Sequence, residues 1–354
     1  AMPGNFHSLW EALEFGEGIP YRVLHLWSLT SETVAEESST ESNVWETLNR
    51  GFYSLLYLSQ AMGKAGGKGE ILLVADGLQE VTGTEPLHPI KSALLGLAAV
   101  IPQEQPSLRC RSIDIEAPWA RNTEAEDIPG PIIDQLMRGL SSDDSRTETA
   151  FRGNFRWVRC FEPLPLKALA ASPSRLRDRG VYWITGGLGE IGMILARHLA
   201  KSVRARLVLS GRSDFADRED WNDRIAELGP EDSVHQRILA IREIESLGSE
   251  VLICRADVAD ETAMRETLAR ILDQFGQLDG VIHAAGRTGA DAMRSAEETD
   301  AAVCEAHFGP KIKGLRVLER VLGDRPLDFC ILMSSLSSVL GGLGFGAYAA
   351  ANRF

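Results

Sequence analysis

The sequence Val181-Tyr-Trp-Ile-Thr185-Gly-Gly-Leu-Gly-Glu-Ile-Gly192 is the strongest indication of the architecture of the C-terminal half of the chain. Its first five residues form an apolar run typical of a buried β-strand, and helical periodicity follows over residues 190–201. Glycines between a strand and a helix permit a tight turn and let backbone N–H groups approach a pyrophosphate at the helix N-terminus. Because the glycines lie in this context, we predict a dinucleotide-binding loop rather than a merely structural turn.

The next predicted strand, over residues 207–209, is followed by Ser210-Gly211-Arg212. An acidic residue at this strand end binds the ribose hydroxyls of NAD, whereas an arginine suits the 2′-phosphate of NADP. Arg212 therefore predicts NADPH over NADH, the alternative being an ordinary exposed arginine. Asp214 lies two residues further on, at the start of a polar stretch over residues 213–236 that we interpret as a long surface loop.

Two more predicted strands end in candidate cofactor contacts. Asp257 and Val258 follow the strand at 251–254, and the Asp257 carboxylate either approaches the adenine amino group or caps the next helix. The strand at 280–284 leads into small residues suited to passing beside a cofactor, and we interpret His283 as structural. The predicted cofactor contacts are Thr185, Gly186, Gly187, Leu188, Gly189, Ile191, Gly192, Gly211, Arg212, Asp257, Val258, Ala284, Ala285 and Gly286.

Strand and helix patterns alternate through both halves, which predicts an α/β fold of two Rossmann-like, doubly wound parallel sheets. In the first half the periodicity predicts strands at 21–27, 70–75, 110–115 and 155–160, and helices at 42–62, 89–101 and 132–140. The second half adds helices at 237–247, 260–275 and 302–322, a strand at 329–333 and a helix beginning near 347. No glycine-rich loop follows a strand in the first half, since Gly66-Gly67 precedes one.

The composition of the chain disfavours several classes of function. A chain of 354 residues is long enough for two domains. The net charge of −13 disfavours a nucleic-acid partner. Five scattered cysteines without a CxxC pair argue against disulfides or zinc and favour a reducing cytoplasm. No metal motif occurs, and no apolar run reaches the length of a membrane span.

The C-terminal residues carry groups suited to carbonyl reduction. Tyr348 and Asn352 are four residues apart at the start of a predicted helix, so they share one face, and Ser335 follows the last predicted strand. Hydride addition to a carbonyl requires a donor that polarises the carbonyl and protonates the alkoxide. A phenol, with an ordinary pKa of about 10, serves only beside a cation. Lys311 and Lys313 are both candidates for that cation.

These motifs together resemble the short-chain dehydrogenase/reductase superfamily and, more narrowly, the ketoreductase domains of modular polyketide synthases. The wider superfamily usually has lysine four residues after the tyrosine. Here Asn352 stands at that position and Lys311 follows Pro310 upstream, an exchange characteristic of polyketide ketoreductases. The resemblance implies that Tyr348 is the proton donor and that Ser335, thirteen residues earlier, hydrogen-bonds the substrate carbonyl. It further implies that Lys311 stabilises the phenolate and that Asn352 completes a polar relay.

The resemblance also implies a domain plan and partners. Residues 1–165 are expected to be a degenerate, structural subdomain without cofactor, 166–179 a linker, and 180–354 the catalytic NADPH-binding subdomain. That subdomain is expected to be C-terminally incomplete within a longer polypeptide, which leaves the activity of these 354 residues alone open. The implied reaction is NADPH-dependent reduction of a β-ketoacyl thioester to a β-hydroxyacyl thioester. The implied partners are an acyl carrier protein, whose phosphopantetheine carries the substrate, and other synthase domains.

Three alternatives stay open: a catalytically silent structural domain, a nucleotide-sugar epimerase or dehydratase, and a non-catalytic NADPH-binding module. An epimerase is expected to carry YxxxK, so Asn352 disfavours it. The stereochemical markers of the family are indistinct, because residues 287–291 lack a clear Leu-Asp-Asp. Leu340 stands where one subclass has tryptophan, which favours the subclass lacking it without deciding the product configuration.

Overall fold

The computed structural model describes residues 2–13, 20–30, 40–66, 68–116, 130–141, 146–165, 175–289 and 292–354. The chain divides into two compact units. The first unit comprises Ala1–Pro163, Thr288–Glu305 and Ser334–Phe354, and the second comprises Leu164–Arg287 and Ala306–Met333. Of the predicted linker 166–179, residues 166–174 lie outside the described residues.

The first unit contains a five-stranded sheet whose strand order follows the chain, β1-β2-β3-β4-β5. The first four strands are parallel and β5 runs antiparallel to β4. Strand β4 was not predicted, because its sequence Glu-Thr-Ala-Phe-Arg contains no apolar run. The strands are β1 (Tyr21–Ser28), β2 (Gly69–Asp76), β3 (Leu108–Ile115), β4 (Glu148–Arg152) and β5 (Phe155–Val158).

The second unit contains a five-stranded, wholly parallel sheet of order β10-β9-β6-β7-β8. The chain moves outward from β6 through β7 to β8, then returns to place β9 on the other side of β6. Open α/β sheets bind ligands in the crevice outside the carboxyl ends of the strands at such a reversal, which here lies between β6 and β9. The strands are β6 (Val181–Thr185), β7 (Arg206–Gly211), β8 (Glu250–Arg255), β9 (Gly280–His283) and β10 (Phe329–Leu332).

Helices alternate with the strands along the chain, as the periodicity predicted. They are α1 (Pro3–Ala12), α2 (Glu41–Leu48), α3 (Ser54–Lys64), α4 (Ala93–Glu104), α5 (Gly130–Ser141), α6 (Glu190–Val203), α7 (Trp221–Glu227), α8 (Ser233–Ser246), α9 (Glu261–Phe275), α10 (Ala301–Phe308), α11 (Gly314–Leu322), α12 (Ser337–Leu340) and α13 (Gly346–Arg353).

Two of the predicted helices are interrupted by π turns. Residues Asn49–Tyr53 join α2 to α3, and Gly309–Lys313 join α10 to α11. Pro310 lies in the second turn, and proline lacks the N–H group that a regular helix needs. A widened turn accommodates that loss, and such π turns recur at functional sites. The predicted helix 302–322 is therefore correct in extent but not in regularity.

Both faces of the second sheet are buried at its central strands β6, β7 and β9, which confirms the doubly wound arrangement. On one face, Ile184 and Leu209 pack with Leu199 of α6 and Ile241 of α8. On the other face, apolar residues of the sheet pack with α9 and α11: Val181, Trp183, Val208, Met264, Leu268, Val317 and Leu318. Continuous apolar strands such as β6 are expected where a parallel sheet is covered on both sides.

The predicted surface loop over residues 213–236 was partly wrong. It contains α7, and Trp221 at the start of that helix is only 3% exposed. The Trp221 indole donates to the carbonyl of Ala216 at 2.9 Å. Abundant charged residues in this stretch concealed a short helix held by one buried aromatic side chain.

A set of hydrogen-bonded side chains lies at the carboxyl ends of β3 and β4 in the first sheet. The Glu85 carboxylate accepts hydrogen bonds from four successive backbone N–H groups, of residues 81–84, at 2.8–3.1 Å. Arg152 at the end of β4 donates to Glu85 at 2.8 Å and to Asp114 at 2.6 Å. Burial acts against ionisation of Glu85, but the hydrogen bonds from the Thr82 backbone and from Arg152 outweigh it and lower the pKa of the carboxyl.

Within the described residues, none of the helices is both long enough and apolar enough to cross a membrane.

Candidate active site

The glycine-rich loop lies in the crevice of the second sheet. Gly186, directly after β6, has a φ of +67°, a conformation that side chains disfavour. A Cβ atom at Gly186 would lie 2.8 Å from the Cα and 2.9 Å from the N of Ala285, the second residue after β9. The loop thus approaches the backbone that follows β9 at a distance that only a glycine permits.

The loop leads into the N-terminus of α6, whose first residue is Glu190. Its N-cap residue is Gly189, which has no side chain to cap this end, so the N–H groups of the first turn keep their capacity to bind an anion. Leu188 is buried in the core, whereas Ile191 is about half exposed on the helix. Close glycine packing and a helix N-terminus whose N-cap is a glycine fit the diphosphate of a dinucleotide. Residues 186–192 would hold that group.

The carboxyl ends of β7 and β8 carry arginines. Arg212 follows β7 and is exposed, and none of the described residues pairs with it. Asp214 instead forms an ion pair with Arg255 at 2.6 Å. Arg255 ends β8 in register with Gly211, which sequence patterns alone did not indicate. Since Arg255 neutralises Asp214, the local charge favours an anionic group, in keeping with the interpretation of Arg212.

Asp257 does not cap α9. The cap is Asp260, whose carboxylate accepts from the N–H groups of Thr262 at 3.0 Å and Ala263 at 3.2 Å. Asp257 accepts from the N–H of Ala259 at 2.9 Å within the preceding turn. The capping alternative for Asp257 was therefore wrong, and its contact with adenine stays a prediction. The Val258 side chain is buried in the core, so only its backbone is placed for a ligand.

His283 joins several parts of this site. It is 2% exposed, and its Nδ1 lies 2.8 Å from the Thr185 hydroxyl at the end of β6. Its Nε2 lies 3.1 Å from the carbonyl oxygen of Pro310 in the π turn. Burial, reinforced by the charge of Lys311, lowers the pKa of His283 to about 4. The imidazole is thus neutral, and its contacts are structural, in agreement with the interpretation of His283 from the sequence. The hydroxyl of Thr185, which contacts this buried imidazole, points into the protein.

The Lys311 ammonium lies against the residues that follow β9. A Cβ atom at Gly286 would be 3.2 Å from Cε of Lys311, and Nζ donates to the carbonyl of Met333. Burial lowers the pKa of Lys311 to about 8. Lys313 is exposed on the same turn. Of the two candidate cations, Lys311 is therefore the one placed beside the crevice.

Ser335 lies in the first unit, at the start of the turn that leads into α12. Its Oγ accepts from the backbone N–H of Ser337 at 3.2 Å and from the Ser337 hydroxyl at 3.0 Å. These bonds use the two lone pairs of a hydroxyl oxygen. The hydrogen of Ser335 is left to be donated, which is what polarising a carbonyl requires.

Tyr348 and Asn352 lie on successive turns of α13, also in the first unit. Asn352 Nδ2 donates to the Tyr348 carbonyl at 2.9 Å, and Ser334 donates to the Asn352 carbonyl at 2.8 Å. The Asn352 Oδ1 atom is buried and accepts no hydrogen bond from the described residues. A buried acceptor without a donor costs free energy, of the order of 1–3 kcal/mol. The site thus retains an acceptor for an incoming hydrogen-bond donor.

The predicted catalytic residues are divided between the units. Ser335, Tyr348 and Asn352 belong to the first unit, whereas Lys311 and every predicted cofactor contact belong to the second. Sequence reasoning missed Arg255, the two bonds of His283 and the π turn around Lys311. The proline before Lys311 was the one available sign of that turn.

Residues 180–354 match the family model described as "KR domain", and residues 1–129 match "Beta-ketoacyl synthase-like, N-terminal". Polyketide synthase PksM of Bacillus subtilis (strain 168) is 28% identical over 99% of this chain and 7% of that protein. Polyketide synthase PksL of the same organism is 32% identical over 80% of this chain and 6% of that protein. The chain therefore spans only a small part of both relatives.

Among solved structures, an A1-type ketoreductase is similar to this chain, with a TM-score of 0.74 and 25% identity. The similarity covers 99% of this chain and 66% of that one. A ketoreductase of the macrolactin assembly line, at 24% identity and a TM-score of 0.74, shares the fold.

Proposed function

Because this chain belongs to the ketoreductase domain family of polyketide synthases, we propose that it reduces a β-ketoacyl thioester to a β-hydroxyacyl thioester with NADPH. The substrate is proposed to be carried by the phosphopantetheine of an acyl carrier protein, and other domains of the same synthase are the expected partners. The coarser activity, ketoreduction with a nicotinamide cofactor, is that of the family.

One observation carries this proposal: the half-buried ammonium of Lys311 beside Gly286, at the mouth of the glycine-lined crevice. A charged amine held at a place where burial disfavours it is typical of functional sites. A merely structural lysine would be expected to have a carboxylate partner there. Lys311 instead donates to the Met333 carbonyl.

NADPH, when bound along residues 186–192, supplies the hydride. Arg212 would bind its 2′-phosphate by charge-assisted hydrogen bonds. The protein's own groups handle the substrate oxygen. Ser335, whose hydrogen is left for donation, would polarise the carbonyl, and negative charge develops on that oxygen as it is reduced.

Tyr348 would give its phenolic proton to that oxygen, so the alcohol forms as the O–H bond of the phenol breaks. The resulting phenolate is stabilised by the Lys311 cation. Asn352, with its unpartnered Oδ1, would accept a hydrogen bond from the chain of donors that returns the proton to Tyr348. These roles for the four residues rest on the family pattern together with the local chemistry of each side chain.

The test is NADPH oxidation with a β-ketoacyl N-acetylcysteamine thioester, using the natural polypeptide that contains this chain. Tyr348→Phe is expected to reduce turnover at least about 100-fold, the contribution of a general acid, while NADPH still binds. Tyr57→Phe in α3 is the matched control and should turn over normally. Retained turnover in Tyr348→Phe would refute the proton donor. NADPH binding without turnover in the unaltered polypeptide would favour a catalytically silent domain.

A further inference from the structure

His283 lies in a closed set of hydrogen bonds within the second unit. Its imidazole contacts Thr185 at 2.8 Å and the Pro310 carbonyl at 3.1 Å. Its own carbonyl accepts from the N–H of Met333 at 3.0 Å, and the Met333 carbonyl accepts from Lys311 Nζ. His283 is therefore hydrogen-bonded at two places: to the Pro310 carbonyl directly before Lys311, and to Met333, whose carbonyl accepts from the Lys311 amine.

The partners determine the tautomer of the imidazole. The Pro310 carbonyl can only accept, so Nε2 carries the hydrogen. Nδ1 is then the acceptor, and the Thr185 hydroxyl donates to it. A second proton would place another positive charge near Lys311 in a buried setting, and burial and that charge hold the pKa of His283 near 4. The imidazole is therefore neutral, with a donor end at Pro310 and an acceptor end at Thr185.

The π turn makes this bond important. A turn that contains a proline has lost a backbone donor, so the usual helical ladder does not by itself fix its position. The Nε2–H of His283 donates to the carbonyl directly before Lys311 and ties the turn to the end of β9. The Lys311 backbone is thus held from a strand of the central sheet.

We infer that His283 is a positioning residue for the reaction: through its Nε2–H bond to Pro310 it holds the π turn so that the Lys311 ammonium stays beside Gly286. The importance of that ammonium for turnover rests on the proposed function. The effect of His283 on the position and the titration of the Lys311 amine does not depend on the proposed function.

Two substitutions of His283 test the contacts of its two ring nitrogens separately. His283→Gln places an amide donor where Nε2 lies, so it retains the bond to Pro310. His283→Asn is shorter and reaches only the Thr185 side. We expect His283→Asn to lower kcat at least about 10-fold with little change in the NADPH dissociation constant, and His283→Gln to recover most of that loss.

The second readout is independent of turnover. The titration of Lys311 in the natural polypeptide can be followed by NMR of ¹³C-labelled lysine, with Lys311→Arg used to assign the signal. In His283→Asn we expect the pKa of Lys311 to move toward the ordinary lysine range. In His283→Gln it is expected to remain as in the unaltered protein. An unchanged Lys311 titration in a folded His283→Asn variant would overturn the inference, as would a His283→Gln variant that behaves like His283→Asn.

If the Asn variant does not fold, the unaltered protein still tests the inference. Above the pKa of about 4 of His283, its ¹⁵N shifts should show the neutral Nε2–H tautomer, also while Lys311 titrates near its pKa of about 8. An Nδ1–H tautomer would mean that Pro310 receives no hydrogen bond, and the inference would fail. If the tautomer and the Lys311 effect hold but no variant alters turnover, the role of the Lys311 ammonium in the reaction fails. If the unaltered polypeptide shows no turnover, the proposed function fails. In both cases the positioning of Lys311 by His283 remains.

Discussion

Lys311 passes directly beside Gly286, so closely that a Cβ atom at Gly286 would lie 3.2 Å from Cε and 3.8 Å from Nζ of the lysine. The absence of a side chain at Gly286 therefore provides the space in which the ammonium lies. The sequence predicts that Gly286 contacts the cofactor, and the approach of Lys311 provides a second reason for a glycine here.

We predict that Gly286→Ala lowers NADPH-dependent turnover by roughly 10-fold, because the lysine must move by a few tenths of an ångström and catalysis is sensitive to such displacements. Turnover and NADPH binding are measured separately, since Gly286 is also a predicted cofactor contact. Gly229→Ala is the control, as a Cβ there meets nothing within 4 Å. Equal turnover in the two variants would contradict the prediction.

The pH dependence of turnover should report Lys311. Burial lowers the pKa of its amine to about 8, so the cation is lost as the pH rises through that value. Because the phenolate needs the cation, we expect kcat/KM to decrease above about pH 8. In Lys311→Arg, which stays charged over this range, any remaining activity should lack this decrease. A wild-type profile that stays flat well above that pH would contradict the assignment.

Arg212 should discriminate between the two nicotinamide cofactors. A charge-assisted hydrogen bond contributes about 1.5–3 kcal/mol, so Arg212→Ala is expected to raise the NADPH dissociation constant about 10- to 100-fold and leave that of NADH nearly unchanged. Arg224→Ala, which removes an exposed arginine paired with Glu227, should affect neither. Fluorescence titration with both cofactors measures these dissociation constants. An equal weakening of NADH binding in Arg212→Ala would contradict the contact between Arg212 and the 2′-phosphate.

The helix that carries Tyr348 packs against α4 at a position that admits no side chain. A Cβ atom at Gly96 would lie 2.4 Å from N and 2.5 Å from Cα of Ala350. We expect Gly96→Ala to lower the free energy of unfolding by about 1–3 kcal/mol, the cost of overpacking a core. Gly4→Ala, on an exposed position of α1, should be neutral or slightly stabilising. Thermal unfolding of both variants decides the matter.

Continuous apolar strands and glycine spacing were sufficient to predict β6, its loop and α6, because each signal lies within a dozen residues. Strand β4 was missed since its buried Thr149 and Arg152 are held by hydrogen bonds rather than by apolar character. The link from Thr185 to His283 joins residues 98 apart in the chain. No local pattern reveals such a contact.

The sequence also indicated the candidate site only in part. The residue types and spacing of Ser335, Tyr348 and Asn352, together with the family resemblance, were sufficient to select them as candidates, and their catalytic roles stay predictions. The choice between Lys311 and Lys313 was not accessible from spacing. It depends on burial, which the π turn determines.

Glu85 supplies the N–H groups of residues 81–84 with an anion that belongs to the protein, whereas residues 186–192 are proposed to bind the diphosphate of a dissociable cofactor. Its carboxylate occupies the row of N–H groups at residues 81–84 and is tethered to them by the chain itself. The stability conferred by a dissociable ligand varies with the concentration of that ligand, whereas an intramolecular anion is always present. The N–H groups of residues 81–84 therefore keep their anion at any concentration of free ligands.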